Sequence, residues 1–198
     1  MMIDSNLLIA WGATYKKITA GELIFAEGAI ANFYYQVESG SVRWINVKDD
    51  GTEFIHHIMG EGESFGELPL FDDEPYAATA VAETDGYVLR LRKECFHQLL
   101  KEYPDIHFAF TKLITQRLRY KFFLIREVAS HHPEQTITSV LGELKKNNNH
   151  FCPESTRLKL TRQQLADMTG MRVETVIRAM RNMNSKGVIR IKHGKVFC

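Results

Sequence analysis

The chain has 198 residues, of which 44% are hydrophobic. That is enough for one large or two small cores, and a formal net charge of +1 excludes a uniformly basic or acidic protein. No apolar run approaches the roughly 20 residues of a membrane-spanning helix, and the N-terminus lacks a basic region followed by an apolar stretch, so a cytoplasmic protein is expected.

The near-neutral total conceals a polarised chain. Residues 130–198 hold 12 Lys/Arg against 5 Asp/Glu, a balance of +7, whereas residues 1–129 hold 13 against 19, a balance of −6. A basic C-terminal third suits a surface that approaches phosphates, because contacts with DNA release condensed counterions. The acidic part is not expected to touch nucleic acid.

In chain order, the first hundred residues read as all-β. Segments 23–25, 33–37, 41–47, 54–59 and 87–91 are rich in β-branched and aromatic residues, and Gly21, Gly28, Gly40, Asp50-Gly51, Gly60 and Gly62 separate them. Turn signals at this density predict a compact antiparallel sandwich or roll. Asp50-Gly51 predicts a two-residue hairpin turn, since both residue types tolerate positive φ. His56 and His57 are adjacent on one of these strands, so they point to opposite faces and do not jointly chelate one ion. Cys95, Cys152 and Cys198 lack the close spacing of zinc or iron–sulfur sites. No metal or other cofactor is expected. Unclustered cysteines fit a reducing compartment, with Cys198 a candidate exposed, reactive thiol.

Residues 104–129 contain no glycine and no internal proline, and Pro104 sits where a first helical turn tolerates it. Ile114, Leu118, Ile125 and Val128 follow four- and three-residue steps around Lys121, a coiled-coil seam of about two heptads. A second stripe, Phe110, Leu113 and Leu124 with Phe123 alongside, can pack on the chain's own β domain. Two stripes imply one internal contact and one partner, so a parallel homodimer is expected. Lys121 either fixes register in that seam or faces an anionic ligand. A hinge is predicted at 131–134, a helix at 135–146 with Ile137, Val140, Leu141 and Leu144 inward, a loop at 147–149 and a strand near 157–160.

The stretch 161–195 reads as two short helices joined by a tight turn and followed by a small hairpin, a helix-turn-helix with a wing. Thr161 and Gln164 form a capping box, Leu165, Ala166 and Met168 supply the apolar face, and Gly170 can stop the helix in the left-handed conformation. The second helix is predicted over 172–184 with Val176, Ile177, Met180 and Met183 inward. Its polar face begins with Arg172, Glu174, Thr175 and Arg178. Glu174 and Arg178 are four apart near the N-terminal end, where a recognition helix meets base edges. Arginine bonds bidentately to guanine O6 and N7, and a carboxylate accepts from cytosine N4. Spacing alone favours an ordinary surface ion pair worth a few tenths of a kcal/mol; the charge distribution argues for base reading instead.

These residues resemble the DNA-binding domain of the Crp/Fnr superfamily of bacterial transcription regulators, and Val173-Glu174-Thr175-Val176-Ile177-Arg178 resembles the Fnr-type recognition helix. The resemblance implies a palindromic site with a T-G-A core in each half-site, read by Glu174 and Arg178 with Val173 beside them. It places Arg162, Gln163, Thr175 and His193-Gly194-Lys195 on phosphates, and Arg172, which opens the same polar face, is a further candidate phosphate contact. Ile177 stands where the Fnr pattern has serine, so the outer bases of the half-site are not carried over. RNA polymerase is implied as a partner.

The order of motifs upstream, G-E-L-I-F-A-E-G, Y-Y-Q-V-E-S-G-S-V-R, D-D-G, G-E-S-F-G-E-L-P-L-F and A-A-T-A, is similar to the cyclic-nucleotide-binding β-roll of the same superfamily over roughly residues 16–99. The expected fold is therefore α+β: an effector-type β-roll at 1–103, a dimerisation helix at 104–130 and a winged helix-turn-helix at 131–198. Phe65-Gly66-Glu67 matches the family's ribose-binding F-G-E. The Arg-Ser pair that holds the cyclic phosphate reads Tyr76-Ala77, and a phenol cannot replace a guanidinium fork on a phosphate. The Thr-Ser pair that meets the base falls at Lys121 and Phe122. The site, comprising Gly66, Glu67, Leu68, Tyr76, Ala77, Lys121 and Phe122, is thus expected to keep its shape but not its cyclic-nucleotide chemistry. It either takes an aromatic or lipid-like effector or is filled by its own side chains. A cyclic-nucleotide-gated activator is the runner-up. A β-roll enzyme of the cupin type lacks any nucleophile–base motif or metal constellation.

Overall fold

A computed structural model of the chain describes residues 1–129, 132–146, 150–152 and 154–198. The chain forms two compact units, Met1–Thr115 and Gln116–Cys198. The first hundred residues are not all-β. They hold α1 (Ser5–Ala10), β1 (Thr14–Ile18), β2 (Leu23–Phe25), β3 (Phe33–Ser39), β4 (Val42–Val47), β5 (Glu53–Met59), β6 (Ser64–Phe65), α2 (Leu68–Asp72), β7 (Thr79–Ala82), β8 (Gly86–Arg92) and α3 (Lys93–Glu102). The helices have local causes. The Asp4 side chain accepts from Asn6 and Leu7 amides at the start of α1, and α3 buries Phe96, Leu99 and Leu100, a three- and four-residue spacing.

Two four-stranded antiparallel sheets, ordered β1-β8-β3-β6 and β2-β7-β4-β5, enclose the first core. β3 shows how alternation builds it. Tyr34 stacks on Phe96 at 4.8 Å and meets Phe110 edge-on at 5.8 Å, while its neighbour Tyr35 stacks on Phe65 at 5.2 Å. Gln36 is fully buried yet satisfied: its amide donates to Ile3 O, and its Oε1 accepts from Ile3 N and Tyr34 OH, each at 2.9 Å.

The turn after β4 differs from the two-residue form expected at Asp50-Gly51. Gly51 N donates to Lys48 O and Lys48 N to Thr52 O, and between Asp50 and Gly51 only Gly51 has positive φ, +80°. This is a longer loop closed by a left-handed glycine, with Asp50 Oδ1 accepting from Thr52 N.

α4 (Pro104–Ala129) runs through both units. Phe110 and Leu113 pack on the β core as expected, whereas Leu124, though buried, is not part of it. It belongs with Phe123 to the second unit. There α5 (Pro133–Lys146), α6 (Arg162–Thr169), α7 (Val173–Ser185), β9 (Arg190–Lys192) and β10 (Lys195–Phe197) follow. α5 starts at Pro133, so Pro133 and Glu134 of the expected hinge are helical; its His131, and the expected loop at 147–149, lie outside the described residues. Thr136 Oγ1 donates to Glu127 O, linking α5 to the end of α4. Ile137, Val140, Leu141 and Leu144 are buried with Leu165, Ala166, Met168, Val176, Met180 and Met183. Near 157–160 the expected strand reduces to isolated bridges, Phe151 with Leu158 and Arg157 with Phe197. Cys198 is half-buried, and burial pushes its thiol pKa up, so it is not the exposed reactive thiol considered from sequence.

No helix of the described residues is long and apolar enough to cross a membrane.

Candidate functional site

The capping box forms at the start of α6. Gln164 N donates to Thr161 Oγ1 at 3.0 Å, and Thr161 N donates to Gln164 Oε1 at 2.7 Å. Gly170 closes the helix with φ +66°, which lets the chain reverse into α7 within three residues. α7 buries Val176, Ala179, Met180 and Met183; Ile177 is only half-buried. Opposite that face, Glu174 and Arg178 are exposed, and Arg181, three residues beyond Arg178 and missed from sequence, extends the same stripe. Among the described residues no ion pair or hydrogen bond joins Glu174 to Arg178. The surface ion-pair alternative therefore has no contact in its favour. Val173 and Thr175 flank the stripe, half-exposed, and Arg172 is the exposed N-cap residue.

The wing is a hairpin in which Lys195 faces Lys192, Val196 faces Ile191 and Phe197 faces Arg190. His193 and Gly194 between them have φ +47° and +76°, the two positive values that a two-residue type I′ turn requires. Arg190, Lys192, His193 and Lys195 are all exposed. Lys192 and Arg190 were not singled out from sequence, because their place opposite Lys195 and Phe197 depends on register. Like charges directly across a strand pair destabilise it; an anion at the tip would relieve that. Arg162 Nη1 donates to Gly194 O at 2.5 Å, and Gln163 Nε2 donates to Asp167 Oδ1 at 2.8 Å.

In the β-roll, Tyr76 is 5% exposed, and its ring lies flat on Phe25, with centroids 3.7 Å apart and planes at 8°. Phe65 and Tyr35 continue the cluster, at 6.0 and 5.7 Å from Phe25. Gly66 lies against it with φ +72°, and a Cβ there would meet Phe25 Cε1 at 2.9 Å and Tyr76 Cε1 at 3.3 Å. Burial pushes the Tyr76 phenol above its ordinary pKa. Gly66→Ala is accordingly expected to cost roughly 2–4 kcal/mol from left-handed strain plus overpacking, measurable by urea unfolding with an unchanged m-value. Glu67 is fully buried at the start of α2, Leu68 is 37% exposed and Ala77 is exposed. The cluster thus joins Gly66 and Tyr76 to Phe65 of the F-G-E motif and to Phe25 and Tyr35, two residues that sequence reasoning did not place at the site. Phe25 lies in G-E-L-I-F-A-E-G, three residues before the turn glycine Gly28.

On α4, Lys121 is partly buried, and its ammonium is lowered to about 8 by burial and by the Arg117 guanidinium one turn back. Phe122 is 66% exposed and lines up with Leu118 and Ile125, which are 54% and 66% exposed. Val128 is also exposed, whereas Ile114 is half-buried. The exposed apolar line therefore runs through Phe122, two heptads after the exposed Phe108. His56 and His57 have separate partners, Asn46 and Glu63.

Comparison with known proteins agrees with this architecture. Residues 15–103 match the cyclic nucleotide-binding domain family, and residues 135–197 match the Crp-like helix-turn-helix domain family. The chain is 29% identical to the anaerobic regulatory protein of Bacillus subtilis over 203 aligned positions, covering 98% of this chain and 84% of that protein. It is 27% identical to the cyclic AMP receptor protein of Thermus thermophilus, covering 89% and 79%. Among solved structures, the c-di-GMP responsive global regulator CLP of Xanthomonas campestris superposes with a TM-score of 0.79 at 23% identity, over 98% of both chains. A CooA mutant from Carboxydothermus hydrogenoformans gives 0.80 at 17% identity, over 98% and 85%. These last two likenesses show the fold.

A β-roll, a long helix and a winged helix-turn-helix define the architecture of a DNA-binding regulator. The chain belongs to the Crp/Fnr family of transcription regulators, a family of DNA-binding proteins and not of enzymes.

Proposed function

We propose that the protein is a cytoplasmic homodimer that reads a palindromic site with a TGA-like half-site core, and that cyclic AMP is not its effector. The observation that carries the reading is the exposed pair Glu174 and Arg178, unjoined to each other on the polar face of α7. In this reading they contact bases with Val173, and Arg162, Gln163, Arg172, Thr175, His193 and Lys195 contact phosphates. The functional parts are 1–103, 104–130 and 131–198, and RNA polymerase is the downstream partner. The exposed Leu118, Phe122, Ile125 and Val128 support a parallel dimer through α4, which presents two recognition helices to successive major grooves about 34 Å apart. Salt-sensitive binding to duplex DNA by the purified chain, with preference for a two-fold symmetric site, tests it.

The stacked Phe25–Tyr76 pair supports a roll filled by its own side chains. Cyclic AMP and cyclic GMP are expected to bind weakly or not at all, since Tyr76-Ala77 offers neither cation nor hydroxyl pair to the cyclic phosphate. An effector switches a regulator only by binding its DNA-competent state better than the other. The retained Phe65-Gly66-Glu67 favours the second reading, a cyclic-nucleotide-gated activator. Calorimetry separates the two: micromolar cyclic-nucleotide affinity coupled to tighter DNA binding would establish that second reading.

A further inference from the structure

We propose that the wing is held at two points, by Arg162 and Asn184 acting as positioning residues, so that Lys192 and Lys195 meet phosphate in register with the recognition helix. Its consequence for DNA rests on the function proposed above; the clamp itself does not.

The base of the wing is tied to the recognition helix. Asn184, in the last turn of α7, accepts from Ile191 N through its Oδ1 at 2.7 Å. The tip is tied to the other helix by the bond from Arg162 Nη1 to Gly194 O. Behind the tip, Leu158 N donates to Val196 O and residue 157 bridges Phe197, but this support stops short of the turn. A two-stranded ribbon is marginal on its own, and this one carries two facing lysines next to its turn. The two side-chain bonds supply what the ladder lacks.

The position of Arg162 argues for the same role. It is the first residue of α6, where a cation meets the positive end of the helix dipole unfavourably. A guanidinium placed there at a cost, half-buried and bonded to a turn carbonyl, has a use that a freely exposed phosphate ligand would not need. Arginine has five N–H donors, so binding Gly194 leaves others for a phosphate. The positioning role is distinct because it acts through Lys192 and Lys195. Asn184 isolates that role, since it carries no charge.

Amide exchange on the full-length protein without DNA, for the native chain, Arg162→Ala and Asn184→Ala, tests the clamp. Exchange at residues 192 and 195 is expected to quicken about tenfold or more in both variants, while amides of the α6 and α7 interiors keep native protection, which shows that the domain is folded. On duplex DNA, each wing lysine released lowers the slope of log affinity against log salt by about 0.9. Asn184→Ala should therefore lose close to two units although it removes no cation, and Arg162→Ala close to three, because its own phosphate contact goes as well. Native exchange at 192 and 195 in both variants overturns the clamp. Quickened exchange with a native salt slope in Asn184→Ala overturns its role in positioning the wing on DNA. A native protein showing no salt-sensitive duplex binding refutes the proposed function while the exchange result still decides the clamp.

Discussion

Arg178→Ala is expected to weaken binding to a cognate duplex by about 1–3 kcal/mol and to relax preference at one guanine in each half-site. Arg178 is exposed on the polar stripe of α7, and no partner among the described residues competes for it. The loss falls on a bidentate contact to base atoms, so affinities for sites varied one base at a time should converge at that position only. Lys195→Ala provides the contrast. A lysine at the wing tip contributes charge without base discrimination, so its removal should weaken all sequences alike and lower the salt slope by about one unit. Unchanged base preference in Arg178→Ala would mean that α7 is not the reading helix.

Leu118→Glu is expected to convert the protein to monomers. Leu118 is 54% exposed on α4 between exposed apolar neighbours, and in a parallel dimer the new carboxylate would face its symmetry mate, a pair that does not stay doubly ionised at low cost. Losing the second DNA-binding arm removes the gain of linked binding, so affinity for a palindrome should fall by roughly 10²–10⁴. Sedimentation gives the first quantity and competition binding the second. A variant that stays dimeric and holds a palindrome with native affinity would contradict dimerisation through this helix.

What could be read from the sequence depended on whether its cause was local. Thr161, Gln164 and Gly170 announce α6 because a capping box and a left-handed stop involve only near neighbours, and both appear where expected. β2 was predicted at the bounds observed. The short α1 and α2 within a strand-rich stretch were missed, since five or six residues are too few to display a period. α3 is longer and its apolar spacing was visible; the density of turn glycines outweighed it. At the candidate site, Glu174 and Arg178 were legible from spacing and charge. Lys192 was not, because it acquires a role only when the hairpin register sets it opposite Lys195. The partner of Tyr76 was equally hidden. Phe25 is about fifty residues away in sequence, and the pairing of β2 with β7, together with the backbone bonds of Gly28 and Ala29 to Tyr76, brings the two together. The sequence places Phe122 at the effector site, and in the structure it is exposed on the same line as Leu118 and Ile125; one residue's rotation along a helix decides between such assignments.

Selection from a pool of fully randomised duplexes by the native full-length protein, at fixed salt and without cyclic nucleotide, decides whether α7 reads a symmetric TGA-like site. The expected outcome is enrichment of a two-fold symmetric site whose half-sites share a TGA-like core, spaced for successive major grooves on one face of the helix. Recovery of sequences with no common core, or of a core without its symmetric mate, would contradict it.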